Sequence, residues 1–171
     1  AVGAIAVGKS GAFYIGANIE FSGVPLHATI HAEQSALINA WMHKEDEVVA
    51  LHVSELPCGH CRQFLRELSN IDRLKIFVRG HAYKLETLLP NAFGEAPKKG
   101  LGLLGNHTTK LKTGKVKLNA YNQCAIDAAE RSYTPYSHSP EGFYIKCIDG
   151  HSFTGGNAEC AAFNPSVPSV I

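Results

Sequence analysis

Short apolar runs near the start of the chain give way to stretches in which apolar positions recur at helical spacing. Val2–Val7 and Phe13–Glu20 are β-prone and flank Gly8-Lys9-Ser10-Gly11, so they predict an antiparallel hairpin closed by a turn-forming cluster. In His31–Met42, Ala32, Ala36, Leu37, Ala40 and Trp41 form a helical stripe. Val48–Val53 reads as a third strand, and Cys58–Leu68 as a second helix with Phe64, Leu65 and Leu68 on its core face. Leu74–Val78 predicts a fourth strand, and Tyr83–Leu89 a short helix stopped by Pro90. Trp41 and Phe64 are expected in the core. Strands and helices in this alternation imply a three-layer α/β/α unit with a mixed sheet.

Gly94–Lys117 differs in kind. Lys98, Lys99, Lys110, Lys112, Lys115 and Lys117 lie among glycines with no aromatic residue, the pattern of a solvated linker. A helical pattern resumes over Ala120–Arg131, and Phe143–Ile148, Asp149-Gly150 and Ser152–Glu159 repeat the first hairpin. The echo is visible in residues: Gly16-Ala17-Asn18-Ile19-Glu20-Phe21 against Gly156-Asn157-Ala158-Glu159-Cys160, both with N-x-E at the end of the second strand. Three segments are therefore expected: a catalytic, metal-binding domain over 1–93, a linker over 94–117, and a degenerate, non-catalytic copy over 118–171. The copy lacks the metal-binding motifs described below, so Asn157 and Glu159 are expected to be structural. The opening without Met and the end at Ile171 read as the ends of a fragment.

Composition narrows the function. Sixteen basic and 15 acidic residues give a net charge of +1, which argues against a broad grip on a nucleic-acid backbone. No apolar run approaches the length of a membrane span, and Ala1–Val7 reads as a strand rather than a leader. Cys124, Cys147 and Cys160 are scattered and read as small buried hydrophobes, which fits a reducing, cytoplasmic compartment.

The chemistry is concentrated in His31-Ala32-Glu33 and Pro57-Cys58-Gly59-His60-Cys61. One imidazole and two thiolates make three zinc ligands, and a catalytic zinc keeps its fourth position open. Both segments are expected at helix N-termini, where partial positive charge favours thiolate, and the i, i+3 spacing of Cys58 and Cys61 puts both sulfurs on one face. Glu33 is then an unligated acid/base beside the metal, and His60 should point away from it. The pattern H-x-E…P-C-x-x-C is that of zinc-dependent nucleobase deaminases.

With G-A-N-I-E-F, H-A-E-Q-S-A and P-C-G-H-C-R-Q-F in this order, the chain resembles the cytidine deaminase family. It resembles most the homodimeric branch with two repeated domains, which S-x-x-P-Y-S-x-S-P at Ser132–Pro140 and A-A-F-N-P at Ala161–Pro165 also match. The resemblance implies hydrolytic deamination of cytidine and 2′-deoxycytidine to the uridine nucleosides plus ammonia, a step of pyrimidine salvage. One Zn2+ per chain would be held by His31, Cys58 and Cys61, with zinc-activated water attacking C4 and Glu33 shuttling protons. Asn18 and Glu20 would hold the sugar hydroxyl, and backbone groups around Ala32 and Leu56 the base. Arg62 would hydrogen-bond a zinc thiolate, and Phe163 is the candidate to reach a partner subunit's active site. The resemblance also implies a homodimer, an aromatic residue upstream of Ala1, and continuation of the second domain past Ile171. The expected partner is a nucleoside, with no nucleic acid and no membrane.

Two other classes share part of the pattern. An editing deaminase acting on single-stranded nucleic acid would need a basic groove, against which near-neutral charge and the N-x-E clamp both count. A structural zinc module would have no use for the unligated Glu33.

Overall fold

The computed structural model describes residues 2–25, 28–105, 108–112, 114 and 118–170. The chain divides into two compact units, Ala1–Asn106 and His107–Ile171.

In the first unit, β1 (Gly3–Gly8) and β2 (Phe13–Ala17) form the expected hairpin. They are followed by α1 (Ala32–Met42), β3 (Val48–Val53), α2 (Gly59–Leu65), β4 (Lys75–Val78), β5 (His81–Tyr83) and α3 (Leu85–Leu88). The sheet order is β2-β1-β3-β4-β5; β3 and β4 pair in parallel and the other neighbours are antiparallel, giving the mixed α/β character expected. Strand alternation sorts the side chains. Ala4, Ala6, Tyr14, Leu51 and Ile76 are buried on one face, and α1 packs across β1 and β2. On the other face, Ile5 lies opposite Ile15 and His52, and the His52 ring stacks on Phe77. Ile5, Ile15 and Phe13 remain exposed.

Gly16 permits the close approach of α1 to β2. A Cβ there would lie 2.3 Å from both the Ala32 oxygen and the Ala36 nitrogen, so only glycine lets the helix settle at this height. Because α1 begins beside that contact, the hairpin sets the position of the H-A-E segment.

Several elements end short of the sequence reading: β2, expected to reach Glu20, stops at Ala17, and the later strand expected to reach Glu159 stops at Gly156. The second helix was expected to run to Leu68, but α2 ends at Leu65. Beyond it Glu67 and Leu68 bond to carbonyls three residues back, so the apolar spacing continues in a tighter turn. The expected helix over Tyr83–Leu89 is shorter and is preceded by the edge strand β5, joined to β4 through Arg79-Gly80.

The segment expected as a linker is not uniform. Leu103 and Leu104 are buried, and the Leu103 N–H donates to the Glu67 carbonyl at 2.8 Å in the first unit. Lys110 and the Leu111 N–H both reach Glu130 in the second unit, each at 3.0 Å. Lys115, Lys117 and the terminal Ile171 lie outside the described residues.

The second unit holds α4 (Ala120–Glu130) and the hairpin of β6 (Gly142–Lys146) and β7 (Ser152–Gly156). Asn119 caps α4 by accepting from the Asn122 N–H at 2.8 Å. Gly142 repeats the close approach seen at Gly16, with Ala125 and Ala129 of α4 in the place a Cβ would fill. Cys160 is buried, Cys124 and Cys147 are partly exposed rather than buried as expected, and no disulfide joins the described cysteines.

Candidate metal centre and substrate cavity

His31 and Cys58 stand at the same structural position in successive helices. Each is the extended-backbone N-cap residue, of α1 and α2 respectively. The Gln34 side chain accepts from the His31 N–H at 3.1 Å, fixing the entry to α1. Cys61 lies in the first turn of α2, fully buried, whereas Cys58 is exposed. The result is a compact donor set: His31 Nδ1 is 3.3 Å from Cys58 Sγ, and the ligating atoms of His31, Cys58 and Cys61 all lie within 4.8 Å of one another. Among the described residues this is the group of three or more His, Cys, Asp or Glu able to hold a metal ion.

Electrostatics supply an independent test of fit. Burial, then the negative charges of Glu33 and Cys58, push the Cys61 thiol far above its ordinary range. A dication among them reverses the balance, since a coordinating thiol is deprotonated outright. Two sulfurs and one imidazole with room for a fourth ligand suit zinc, with bonds of about 2.0–2.3 Å. Zn2+ is the cofactor this donor set supports.

Glu33, in the first turn of α1, is only 4% exposed. It hydrogen-bonds the Cys61 side chain, one contribution to the raised thiol. His60 is not among the ligating group. Its ring stacks on His31 with centroids 4.7 Å apart, and burial, then the charge of His31, lowers its pKa.

A cavity of about 310 Å³ opens over the cluster. His31, Glu33 and Cys58 line its floor, and Asn18, Glu20, Ala32 and Leu56 line its walls. The N-x-E segment is ordered there: Asn18 accepts from the Val2 N–H at 2.9 Å and donates to Glu20 Oε1 at 2.6 Å. The Ile19–Ile30 bridge closes the intervening loop and brings Thr29 to the same wall. Val2, Thr29 and Glu55 also line the cavity and were missed in sequence. Only Glu55 carried a signal, its place beside Leu56.

Arg62 is anchored on two backbone carbonyls. Its Nε donates to the Pro57 carbonyl at 2.6 Å and its Nη1 to the Leu88 carbonyl at 2.8 Å. It therefore braces the backbone ahead of Cys58 against α3, with these donors on carbonyls rather than on a thiolate. Phe163, in the second unit, is 81% exposed at φ +65°. The second N-x-E has been absorbed into structure. Asn157 accepts from the Glu141 N–H at 2.8 Å, and the Glu159 carboxylate accepts from the Tyr136 and Ser137 N–H groups and the Ser137 hydroxyl.

A mixed α/β sheet that brings His-x-Glu and Cys-x-x-Cys to one donor cluster from two helix starts defines a zinc-site protein of the nucleobase-deaminase class. Residues 1–78 and 85–171 each match the cytidine and deoxycytidylate deaminase zinc-binding region, and the chain belongs to that family. It is 47% identical to the cytidine deaminases of Salmonella typhi and Salmonella paratyphi B, in alignments covering 98% of this chain and 56% of each relative. The chain thus spans a little over half the length of those relatives. A solved cytidine deaminase from Mycobacterium tuberculosis is 31% identical, with a TM-score of 0.48, over 54% of this chain and 78% of that one.

Proposed function

We propose that this chain hydrolytically deaminates cytidine and 2′-deoxycytidine, giving the uridine nucleosides and ammonia. The observation that carries the reading is a single cavity lined by His31 and Cys58 of the metal cluster, by Glu33 and by the Asn18–Glu20 pair. The cytidine deaminases it resembles support the choice of substrate.

His31, Cys58 and Cys61 hold zinc, whose Lewis acidity, when it is bound, makes water a competent nucleophile near neutral pH. Glu33 takes a proton from the attacking water and gives it to N3 of the base, which makes C4 more electrophilic. Addition at C4 gives a tetrahedral carbon. Glu33 then collects the remaining hydroxyl proton and delivers it to the exocyclic amine, which leaves as ammonia. One carboxylate serves both transfers because the first resets it. Asn18 and Glu20 hold the sugar hydroxyl, while backbone groups at Ala32 and Leu56 hold the base. Arg62 supports the metal loop through Pro57.

The protein acts as a homodimer in the cytoplasm, with Phe163 presented to the partner's site. Its exposure and position in the second unit support that role. The test is the ultraviolet absorbance of cytidine incubated with the zinc-loaded chain. Conversion to uridine bears the reading out; an inert chain with one zinc bound and measurable structure refutes it.

A further inference from the structure

Among the described residues lining the cavity there are three carboxylates, Glu20, Glu33 and Glu55, and no lysine or arginine. Glu33 is buried at the chemistry and Glu20 is tied to Asn18. Glu55 stands apart from both: it lines the cavity while forming an ion pair with Arg79. Arg79 occupies an unusual backbone position. Val78 pairs with His81, so Arg79-Gly80 is a two-residue hairpin turn, with φ of +49° and +81°. Positive φ at both central residues defines a type I′ turn, which favours Asn, Asp or Gly at the place Arg79 fills. A long cationic side chain is thus held at a position that disfavours it and is paired with Glu55.

The geometry points to Glu55 as a specificity-determining residue that bars phosphorylated nucleosides through its own charge. This rests on the nucleoside reading above and deepens it. The two side chains are 55% and 70% exposed, so their pairing contributes little to stability, and substitution leaves the fold intact. Its effect is local. With Glu55 in place, a phosphate at the sugar meets carboxylates and no free cation. With Glu55 neutralised, one repulsion disappears.

The experiment is equilibrium binding of uridine and uridine 5′-monophosphate to the zinc-loaded chain, both being unreactive in the proposed reaction. The wild type binds uridine more tightly. Glu55→Gln narrows that preference by about tenfold, the scale of one charge contact in a wet cleft. Arg79→Asn suits the turn better, leaves Glu55 uncompensated, and widens the preference. Added salt shrinks both changes. An unchanged ratio in both variants, with uridine still bound, overturns the gate alone. Equal weakening of both ligands in Glu55→Gln also overturns it, since that is loss of positioning rather than of charge. If the wild type binds neither ligand, the nucleoside reading fails and the gate falls with it.

Discussion

Glu33 and Cys61 share a hydrogen bond, and after burial the Glu33 carboxylate is the next cause that raises the Cys61 thiol. One of the two groups is proposed to bind metal and the other to move protons, and substitution separates those roles. Cys61→Ser removes a buried zinc ligand and should lower zinc content well below one ion per chain. Glu33→Gln keeps the donor set and should retain zinc while losing about 10²–10⁴-fold in kcat, the usual worth of a positioned general acid/base. Metal analysis paired with cytidine turnover checks both. A structural zinc module would show no turnover for Glu33→Gln to lose.

Gly16 lets α1 lie directly on β2. Gly16→Ala places a methyl group against the Ala32 oxygen and the Ala36 nitrogen, so α1 must shift. Overpacking of this kind costs about 1–3 kcal/mol. Because His31 caps α1, zinc affinity should fall along with the melting temperature. Gly3→Ala, where a Cβ has open space, should leave zinc affinity unchanged. Thermal melts and chelator competition on both variants test this coupling.

The sequence made local chemistry legible and left long-range assembly obscure. H-A-E and P-C-G-H-C could be read because each lies within one helix start. β5 could not, being three residues without apolar alternation, joined by a turn that carries Arg79 where Asn is usual. Thr29 reaches the cavity only because the Ile19–Ile30 bridge folds its loop back, an event no local pattern announces. Arg62 was recognised as a neighbour of the metal loop, but its partners depend on where Leu88 lies in the fold.

Glu45, at 6% exposure, ties the β1–β2 turn to the end of α1, accepting from the Ser10 hydroxyl and from the Tyr14 hydroxyl at 3.0 Å. Burial works against its charge, yet the hydrogen bonds from Ser10 and Tyr14 prevail and hold its pKa below the ordinary 4.5. A depressed folded pKa gives stability that is present above the unfolded value and lost as pH falls through the folded one. Glu45→Gln should therefore destabilise by about 1.5–3 kcal/mol near neutrality, the range for hydrogen bonds to a charged group. The gap to wild type should close below pH 4.5. Tyr14 is raised above 10.0 by burial and then by Glu45, so its contribution is intact below that pH and is lost above it. Urea melts from pH 3 to 7 on wild type and Glu45→Gln measure the acid arm; parallel closely spaced curves would refute it.

Phe163 combines 81% exposure with a φ of +65°, a conformation that costs a non-glycine residue about 1–3 kcal/mol. Its ring adds little burial within its own unit, although its backbone is hydrogen-bonded there to Cys160 and Ser166. Phe163→Gly relieves the backbone and should leave stability equal or slightly raised, by up to about 1 kcal/mol after glycine's own entropy cost. If Phe163 reaches a partner's cavity, the same change should lower kcat/KM for cytidine. Mixing settles which subunit it serves. Chains carrying only Phe163→Gly, combined with an excess of chains carrying only Glu33→Gln, form heterodimers in which the intact Glu33 meets a partner's intact Phe163. Activity per Glu33-bearing chain should then rise towards the wild-type value. Activity that never falls in Phe163→Gly, or never recovers on mixing, would leave Phe163 no part in a partner's site.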